Sequence, residues 1–186
     1  KIYFRQCYRH PFFTFLFLGT ALNNASTVCR HTFNLLFATE ELHMTAAQYG
    51  RVMAAGSVVS AVVIVLVGYV MDKIHPLRVF LGSGIIVILA NIWGYYYVTD
   101  YASFFVVGIA ISVVYAIQYL SNGPVFVDLF PPDKYGQFCS ANAMMNCVLL
   151  IFANYFGGMA IDRFGYRFIF AWDTIFTIGA TLALIY

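Results

Sequence analysis

Six long apolar segments account for most of this chain, and each is long enough to cross a lipid bilayer. About 20 apolar residues in a helix span the roughly 30 Å of hydrocarbon. The segments cover residues 11–38, 47–71, 79–98, 101–122, 137–160 and 168–186. Because 62% of the residues are hydrophobic and only 10% are charged, against about 25% charged in soluble domains, most of this surface must face lipid. The sequence predicts an all-α integral membrane protein with six transmembrane helices in one domain, residues 1–186.

The composition argues against several other classes of protein. The net charge is +2, and no basic run interleaved with aromatic residues is present, so we expect no nucleic acid partner. Cys7, Cys29, Cys139 and Cys147 form no Cys-x-x-Cys pair and have no histidine at metal-ligand spacing, which argues against a zinc or redox site. The sequence also has no catalytic triad, no paired carboxylates in a cavity and no phosphate loop. We therefore expect no enzymatic activity, no cofactor and no metal.

Breaks between the segments are short and carry the turn signals. Pro124, Pro131 and Pro132, with Gly123 and Gly136, predict that the fourth helix ends near residue 122 and that the fifth begins near 137. On the second segment, the small residues 54–57 and Ser60 predict that another helix approaches closely.

A cluster of charges follows the second segment and is repeated 90 residues later. The first copy is Gly68-Tyr-Val-Met-Asp72-Lys73-Ile-His75-Pro76-Leu-Arg78, and the second is Gly158-Met-Ala-Ile-Asp162-Arg163-Phe-Gly165-Tyr-Arg167. Three predicted helices separate the copies, so they lie on opposite faces of the membrane. Inverted repeats of three helices each have this arrangement. We expect one repeat over about 11–98 and the other over about 101–186.

Three loop patterns, in this order, resemble those of the major facilitator superfamily of transporters. The first charged copy resembles the loop between the second and third helices of each half. Residues 128–136, Asp-Leu-Phe-Pro-Pro-Asp-Lys-Tyr-Gly, resemble the loop after the fourth helix. Residues 157–170, with Gly-Gly, Gly-Tyr-Arg and Phe, are similar to the connection between the fifth and sixth helices. The resemblance implies one six-helix half of a twelve-helix transporter, and the basic residues within 1–10 favour the C-terminal half.

That resemblance carries further expectations about function. His75 and Pro76 depart from the usual loop pattern, as is common in second halves, and His-Pro-Leu-Arg is similar to bacterial members resembling glycoside and sucrose proton symporters. Secondary transport of a sugar or glycoside by alternating access, coupled to protons, is therefore expected. The motif residues expected to latch one access state are Gly68, Asp72, Lys73, Arg78, Gly158, Asp162, Arg163, Gly165 and Arg167.

Basic residues in the short loops predict the orientation, because cytoplasmic loops are enriched in Lys and Arg. One side collects Lys1, Arg5, Arg9, Lys73, Arg78 and Lys134, and the other has only Arg51, Arg163 and Arg167. The loop at 72–78 is therefore expected to be cytoplasmic, in a bacterial inner membrane or a plasma membrane.

Polar residues at helical spacing inside the predicted spans are the candidate substrate-binding residues. They are Asn23, Thr27, Arg30, His31 and Asn34 on the first span, Tyr115, Gln118, Tyr119 and Asn122 on the fourth, and Asn142 and Asn146 on the fifth. Such residues usually face the bundle interior or a water-filled cavity. Neutral donors and acceptors suit a small polar solute such as a sugar, whereas the alternative is that they only join helices by hydrogen bonds.

Ionisable residues within the spans are the candidates for ion coupling. Arg30 lies 19 residues into the first span and needs a partner or water, unless the helix leans so that Arg30 reaches the outer headgroups. His31 and Asp173, the latter being the only carboxylate inside a predicted span, are candidate coupling residues. For Asp173 a helix-pairing role is the alternative.

Two other functions remain open from the sequence. A half-size transporter that acts as a homodimer would supply both six-helix halves by symmetry. A membrane receptor or scaffold with a transporter fold would bind its ligand without moving it. In every case the expected partners are a small polar solute, the lipid bilayer and a second six-helix half, from the same polypeptide or another chain.

Overall fold

Six long helices dominate the computed structural model, which describes residues 7–185. They are α1 (Pro11–Leu36), α2 (Ala46–Met71), α3 (Pro76–Tyr97), α4 (Tyr101–Leu129), α5 (Tyr135–Phe164) and α6 (Phe168–Ile185). A π-helical turn (Phe37–Glu41) extends α1, and a short 3-10 helix (Pro132–Lys134) precedes α5. All six long helices have the length and apolarity to cross a membrane. Since residues 7–185 contain no strand, the predicted all-α membrane fold is confirmed.

The prediction that α4 ends near residue 122 is wrong, because the helix continues through Pro124 to Leu129. Proline inside a helix costs about 3 kcal/mol, largely through its missing N–H donor and a clash with the preceding turn. The extra turns place Val125 and Phe130 in a buried aromatic cluster with Phe138. Each buried apolar side chain contributes about 1.5–3 kcal/mol, so the packing outweighs the proline.

Capping boxes define where α2 and α4 begin. The hydroxyl of Thr45 accepts a hydrogen bond from the Gln48 amide, and the Gln48 side chain accepts from the Thr45 amide. Asp100 and Ser103 form the equivalent pair before α4. Two hydrogen bonds donated by Ser103 lower the pKa of the Asp100 carboxyl. The larger effect comes from the Ser103 hydroxyl and the smaller from its backbone N–H. These caps satisfy helix N–H groups in the loops, which keeps the connections short.

The helices pack in two groups of three that meet through α3 and α6. α1 contacts α5 and α6, whereas α4 contacts α2 and α3. Glycines allow the close approaches: a Cβ on Gly56 of α2 would lie 2.7 Å from the Ser112 hydroxyl of α4, and one on Gly157 of α5 would lie 2.9 Å from the Cys29 sulfur of α1. The close approach predicted for residues 54–57 is therefore confirmed.

The two ends of the bundle have different chemistry. At one end, α1 begins beside the end of α4 and the start of α5, and the contact is aromatic: Phe13 and Phe17 pack on Phe130 and Phe138. At the other end, the three connections after α1, α3 and α5 meet through polar contacts of Arg167. Connections that follow odd-numbered helices therefore share one end, as six successive spans require.

Candidate solute-binding cavity and buried ion pair

A cavity of about 400 Å³ lies between α1, α2 and α4. Thirteen residues line it: Arg30, His31, Asn34, Met53, Ser57, Ser60, Ala61, Ile64, Gly108, Ile111, Ser112, Tyr115 and Ala116. Four of them, Arg30, His31, Asn34 and Tyr115, belong to the polar set predicted from the sequence. The mixture of apolar walls with a few converging polar groups is typical of small-molecule sites.

Two polar atoms at this cavity have no hydrogen-bond partner among residues 7–185. They are the side-chain oxygen of Asn34 and the hydroxyl oxygen of Ser60, and each residue is only 7% exposed. A buried polar group without a partner costs about 1–3 kcal/mol. Both residues line the cavity, so a water molecule or a polar ligand bound there would supply the missing partner.

Serines on α2 and α4 complete the polar lining, and the sequence did not single them out as binding residues. Ser57 donates to the carbonyl of Met53 at 2.9 Å, and Ser112 donates to the carbonyl of Gly108 at 2.7 Å. Their oxygens keep lone pairs for a further partner. On α2 the serines belong to a stripe of small residues. Such a stripe indicates close helix packing as readily as it indicates the polar lining of a cavity.

A buried ion pair between Arg30 and Asp173 lies behind the cavity. The Arg30 Nη1 atom is 3.4 Å from Asp173 Oδ2, and the side chains are 4% and 0% exposed. Asn91 bridges the pair, because its Oδ1 accepts from Arg30 Nη1 at 2.5 Å and its Nδ2 donates to Asp173 Oδ2 at 2.6 Å. The alternative that Arg30 reaches the outer headgroups is wrong, since its charge has a partner inside the bundle.

Three hydroxyls complete the shell of donors around Asp173. The Tyr115 hydroxyl lies 2.5 Å from Oδ2, and the hydroxyls of Ser26 and Thr177 donate to Oδ1. Every contact of the carboxylate oxygens is with a donor, which suits an ionised carboxylate because it only accepts hydrogen bonds. These hydrogen bonds offset the cost of removing the Asp173 carboxylate from water.

Arg30 connects this buried cluster to the cavity. Both hydrogen bonds that it makes within residues 7–185 leave from Nη1, so Nε and Nη2 keep unused donors. Its guanidinium carbon lies 4.5 Å from the centroid of the Phe170 ring, a cation–π contact that helps to hold a desolvated cation. Arg30 also lines the cavity wall, whereas Asp173 does not.

His31 and Tyr115 lie side by side at the cavity. Their ring centroids are 5.9 Å apart, and both line the wall. Because the Tyr115 hydroxyl also contacts Asp173, a chain of polar groups runs from His31 at the cavity towards the buried carboxylate.

The other predicted binding residues lie outside the cavity, and most of them join helices. Asn23 of α1 donates to the Gln118 side chain of α4 at 3.4 Å, and the Thr27 hydroxyl donates to the Asn23 carbonyl. On α5, Asn142 accepts from the Thr20 hydroxyl of α1 at 2.8 Å. For Asn23, Gln118 and Asn142 the geometry agrees with the helix-joining alternative, whereas the Thr27 hydrogen bond stays within α1.

The remaining three candidates have different surroundings. Asn146 of α5 accepts from the Asn24 side chain of α1 at 2.7 Å, which is another contact between helices. Tyr119 of α4 is 85% exposed, and Asn122 is half-buried one turn further on. Both share a face of α4 with Tyr115 but lie further along the helix, beyond the cavity lining.

The first charged copy of the loop motif is open to its surroundings. Asp72, Lys73 and Arg78 are exposed, and nothing lies within 4 Å of a Cβ built on Gly68. Lys73 places its ammonium 4.2 Å from the Tyr69 ring. Within residues 7–185 none of these three charges has an ion-pair partner, so the copy is free to contact another surface.

The second copy holds its end of the bundle together through Arg167. The guanidinium donates to the carbonyls of Tyr95 at 2.8 Å and Val98 at 2.6 Å, and its Nε lies 3.7 Å from Glu41 Oε2. The preceding Gly165 has φ +84°, which only glycine adopts readily.

Three further residues of the second copy lie near the end of α5. Asp162 and Arg163 are exposed in the last turn of α5, where the Arg163 guanidinium lies 5.8 Å from the Phe164 ring. Gly158 is half-buried, and a Cβ there would only touch the Phe33 ring at 3.7 Å. The two copies thus differ in structure, although their sequences are similar.

Six long apolar helices, three of which line a cavity, fit an integral membrane protein of the transporter class. The sequence matches the family model of the Major Facilitator Superfamily over residues 14–186. The chain belongs to this superfamily, as the loop motifs predicted. No curated protein and no solved structure gives a significant match. Membership supports secondary transport of a small solute across a membrane, in a family that is generally not enzymatic.

Proposed function

We propose that this protein transports a small, neutral, polyhydroxylated solute, a sugar or glycoside, and that the cavity between α1, α2 and α4 holds it. The observation that carries this proposal is the pair of buried, unpartnered oxygens of Asn34 and Ser60 at the cavity. Sugar hydroxyls both donate and accept hydrogen bonds. They match an amide oxygen and a hydroxyl that lack partners in the protein.

The chemistry of the cavity favours a neutral solute over a charged one. No carboxylate lines the cavity among residues 7–185, so a cationic solute would find no counterion. The one buried cation at the wall, Arg30, is already paired with Asp173. A volume of about 400 Å³ lies within the range of about 300–1,000 Å³ that is usual for small-ligand sites.

Transport by alternating access requires a second six-helix half that rocks against this one. The packing supports inverted repeats over about 11–98 and 101–186. If α1, α2 and α3 correspond to α4, α5 and α6, the contacts of α1 with α5 and α6 correspond to the contacts of α4 with α2 and α3, and both sets are present. In the open first motif copy, Asp72 and Arg78 have no ion-pair partner among residues 7–185, which suits a contact with that second half. We propose the C-terminal half, with the loop at 72–78 cytoplasmic.

Proton coupling through His31 extends the same proposal. His31 lies at the cavity beside Tyr115, and an imidazole changes charge near pH 6.5. Asp173 is the second candidate, but its five donors hold it inside the bundle. If His31 carries the proton, H31A should lose accumulation driven by a pH gradient and keep exchange of solute at equilibrium.

Uptake into proteoliposomes tests the proposal directly. A labelled panel of sugars, glycosides, amino acids and cationic drugs is compared in the wild-type protein, N34A and S60A. We expect saturable uptake of a sugar or glycoside, which both substitutions weaken by about five- to a hundredfold, as losing one or two hydrogen bonds predicts. S140A is the matched control, because Ser140 is exposed on α5 and donates only to the Gly136 carbonyl within residues 7–185.

Other outcomes would identify the alternatives. Saturable binding without uptake or exchange indicates a receptor, and export of cationic drugs alone contradicts a sugar site. A detergent-solubilised mass of two chains, with activity lost on dissociation, indicates a homodimer.

A further inference from the structure

We propose that Asp173 is a specificity-determining residue that acts at a distance, by holding the net charge of the cavity at zero so that anionic solutes are excluded. This inference rests on the proposed function in that it takes the cavity between α1, α2 and α4 as the solute site. Asp173 does not line that cavity, and its effect passes through Arg30, which does.

The geometry separates the two charges into different environments. Arg30 lines the cavity and has unused donors at Nε and Nη2. Asp173 is 0% exposed, and both of its carboxylate oxygens accept hydrogen bonds from protein groups. A solute in the cavity therefore meets a cation whose counterion lies behind it. Without Asp173, the same wall would present an uncompensated guanidinium, the group best shaped to bind a carboxylate.

The hydrogen bonds around Asp173 make this arrangement rigid. Asn91 bridges the two charges, and Tyr115, another cavity-lining residue, donates to the same oxygen that Arg30 approaches. His31 is the remaining ionisable group at the cavity besides these. It is neutral above its ordinary pKa of about 6.5, so measurements at pH 8 isolate the Arg30–Asp173 pair.

The charge of the cavity can be measured without knowing the solute. A reporter cysteine, S57C, is placed on the cavity wall after Cys139 and Cys147, the two native cysteines that are not buried, are replaced by serine. Its rates of reaction with an anionic and a cationic methanethiosulfonate reagent are compared. A cavity of about 400 Å³ has the volume of a cube with an edge of about 7 Å, and in water one added unit charge at that distance changes the ratio of the two rates by about sevenfold.

Asp173→Asn should raise the anion-to-cation rate ratio at S57C by about sevenfold or more. R30Q should lower it by a similar factor, because Asp173 then lacks its cation, so the two single variants test the same pair with opposite signs. The double variant R30Q/D173N should return near the wild-type ratio. The control reporter S140C, outside the cavity, should not respond to any of them.

A transport arm distinguishes this inference from the proposed function. Proteoliposomes with D173N should gain uptake or exchange of a uronate, the carboxylate analogue of a sugar, relative to the neutral sugar. An unchanged rate ratio at S57C in both single variants overturns the inference, as does an equal change at S140C. A shifted ratio with no sugar transport by the wild type leaves the charge effect standing and refutes the proposed function. A shifted ratio without gain of the uronate refutes the selectivity role.

Discussion

Removing either Arg30 or Asp173 should destabilise this protein far more than the long N–O distance of 3.4 Å between them suggests. In D173N the Arg30 guanidinium stays 4% exposed but loses its counterion, and the amide cannot accept from all five donors that surround Asp173. Breaking a buried pair in this way costs about 3–5 kcal/mol. R30Q should cost a similar amount, because it leaves the carboxylate alone.

The double variant R30Q/D173N distinguishes a true pair from two independent polar residues. Replacing both charges leaves no buried ion, so its loss of stability should be at least about 2 kcal/mol smaller than the sum of the single losses. D162N is the matched control, since Asp162 is exposed and should change stability by less than about 0.5 kcal/mol.

Unfolding by SDS measures the free energies, and fluorescence-detected size exclusion after heating measures Tm. For 186 residues, about 2–4 °C per kcal/mol converts a loss of 3–5 kcal/mol into a fall in Tm of about 6–20 °C. Additive losses in the cycle, or single variants no less stable than D162N, would refute the reasoning that the pair is buried and mutually dependent.

Three smaller predictions use the glycines and the polar end of the bundle. G165A should lose about 1–3 kcal/mol because Gly165 has φ +84°, while G158A, with its nearest contact at 3.7 Å, should change little in the same SDS titration. G56A should lose about 1–3 kcal/mol by overpacking at 2.7 Å, and equal stability of G56A and G68A would contradict the packing of α2 on α4. R167K cannot donate through two nitrogens to two carbonyls at the end of α3, so hydrogen exchange at 95–100 and 165–168 should become faster, with R163K unchanged as the control.

The sequence was sufficient for the spans and their order, because length and apolarity alone decide which segments can cross a bilayer. It was not sufficient for the end of α4. Proline signals a helix end through local chemistry, whereas the burial of Phe130 against Phe17 depends on a residue that is distant in the chain. Local signals therefore fail where tertiary packing is strong.

The candidate site shows the same division. The polar stripe on α1 was visible at helical spacing, and Arg30, His31 and Asn34 do line the cavity. The pairing of Arg30 with Asp173, which lies 143 residues away, was not predicted, although Asp173 was the only carboxylate inside a predicted span. Ser60 was hidden for another reason, since a small hydroxyl on an apolar helix fits helix packing and ligand binding equally well.

Residues that join helices and residues that bind a ligand are also of the same types. Asn23 donates to Gln118 Oε1, whereas Gln118 Nε2 and Asn34 Oδ1 have no partner within residues 7–185, yet all three are buried amides in a span. Only the three-dimensional arrangement tells which amide is satisfied by the protein. Spacing along a helix defines a face, but it does not define what that face meets.

Protection of a cavity cysteine by the transported solute tests the central claim most directly. S57C, on the exposed part of the cavity wall and in a background where Cys139 and Cys147 are serine, is labelled with N-ethylmaleimide in the presence of increasing solute. We predict that the sugar or glycoside found by uptake slows labelling at S57C, with a half-effect concentration equal to that for transport, and leaves S140C unaffected. Labelling at S57C that a saturating transported solute does not slow would contradict the assignment of this cavity as the solute site.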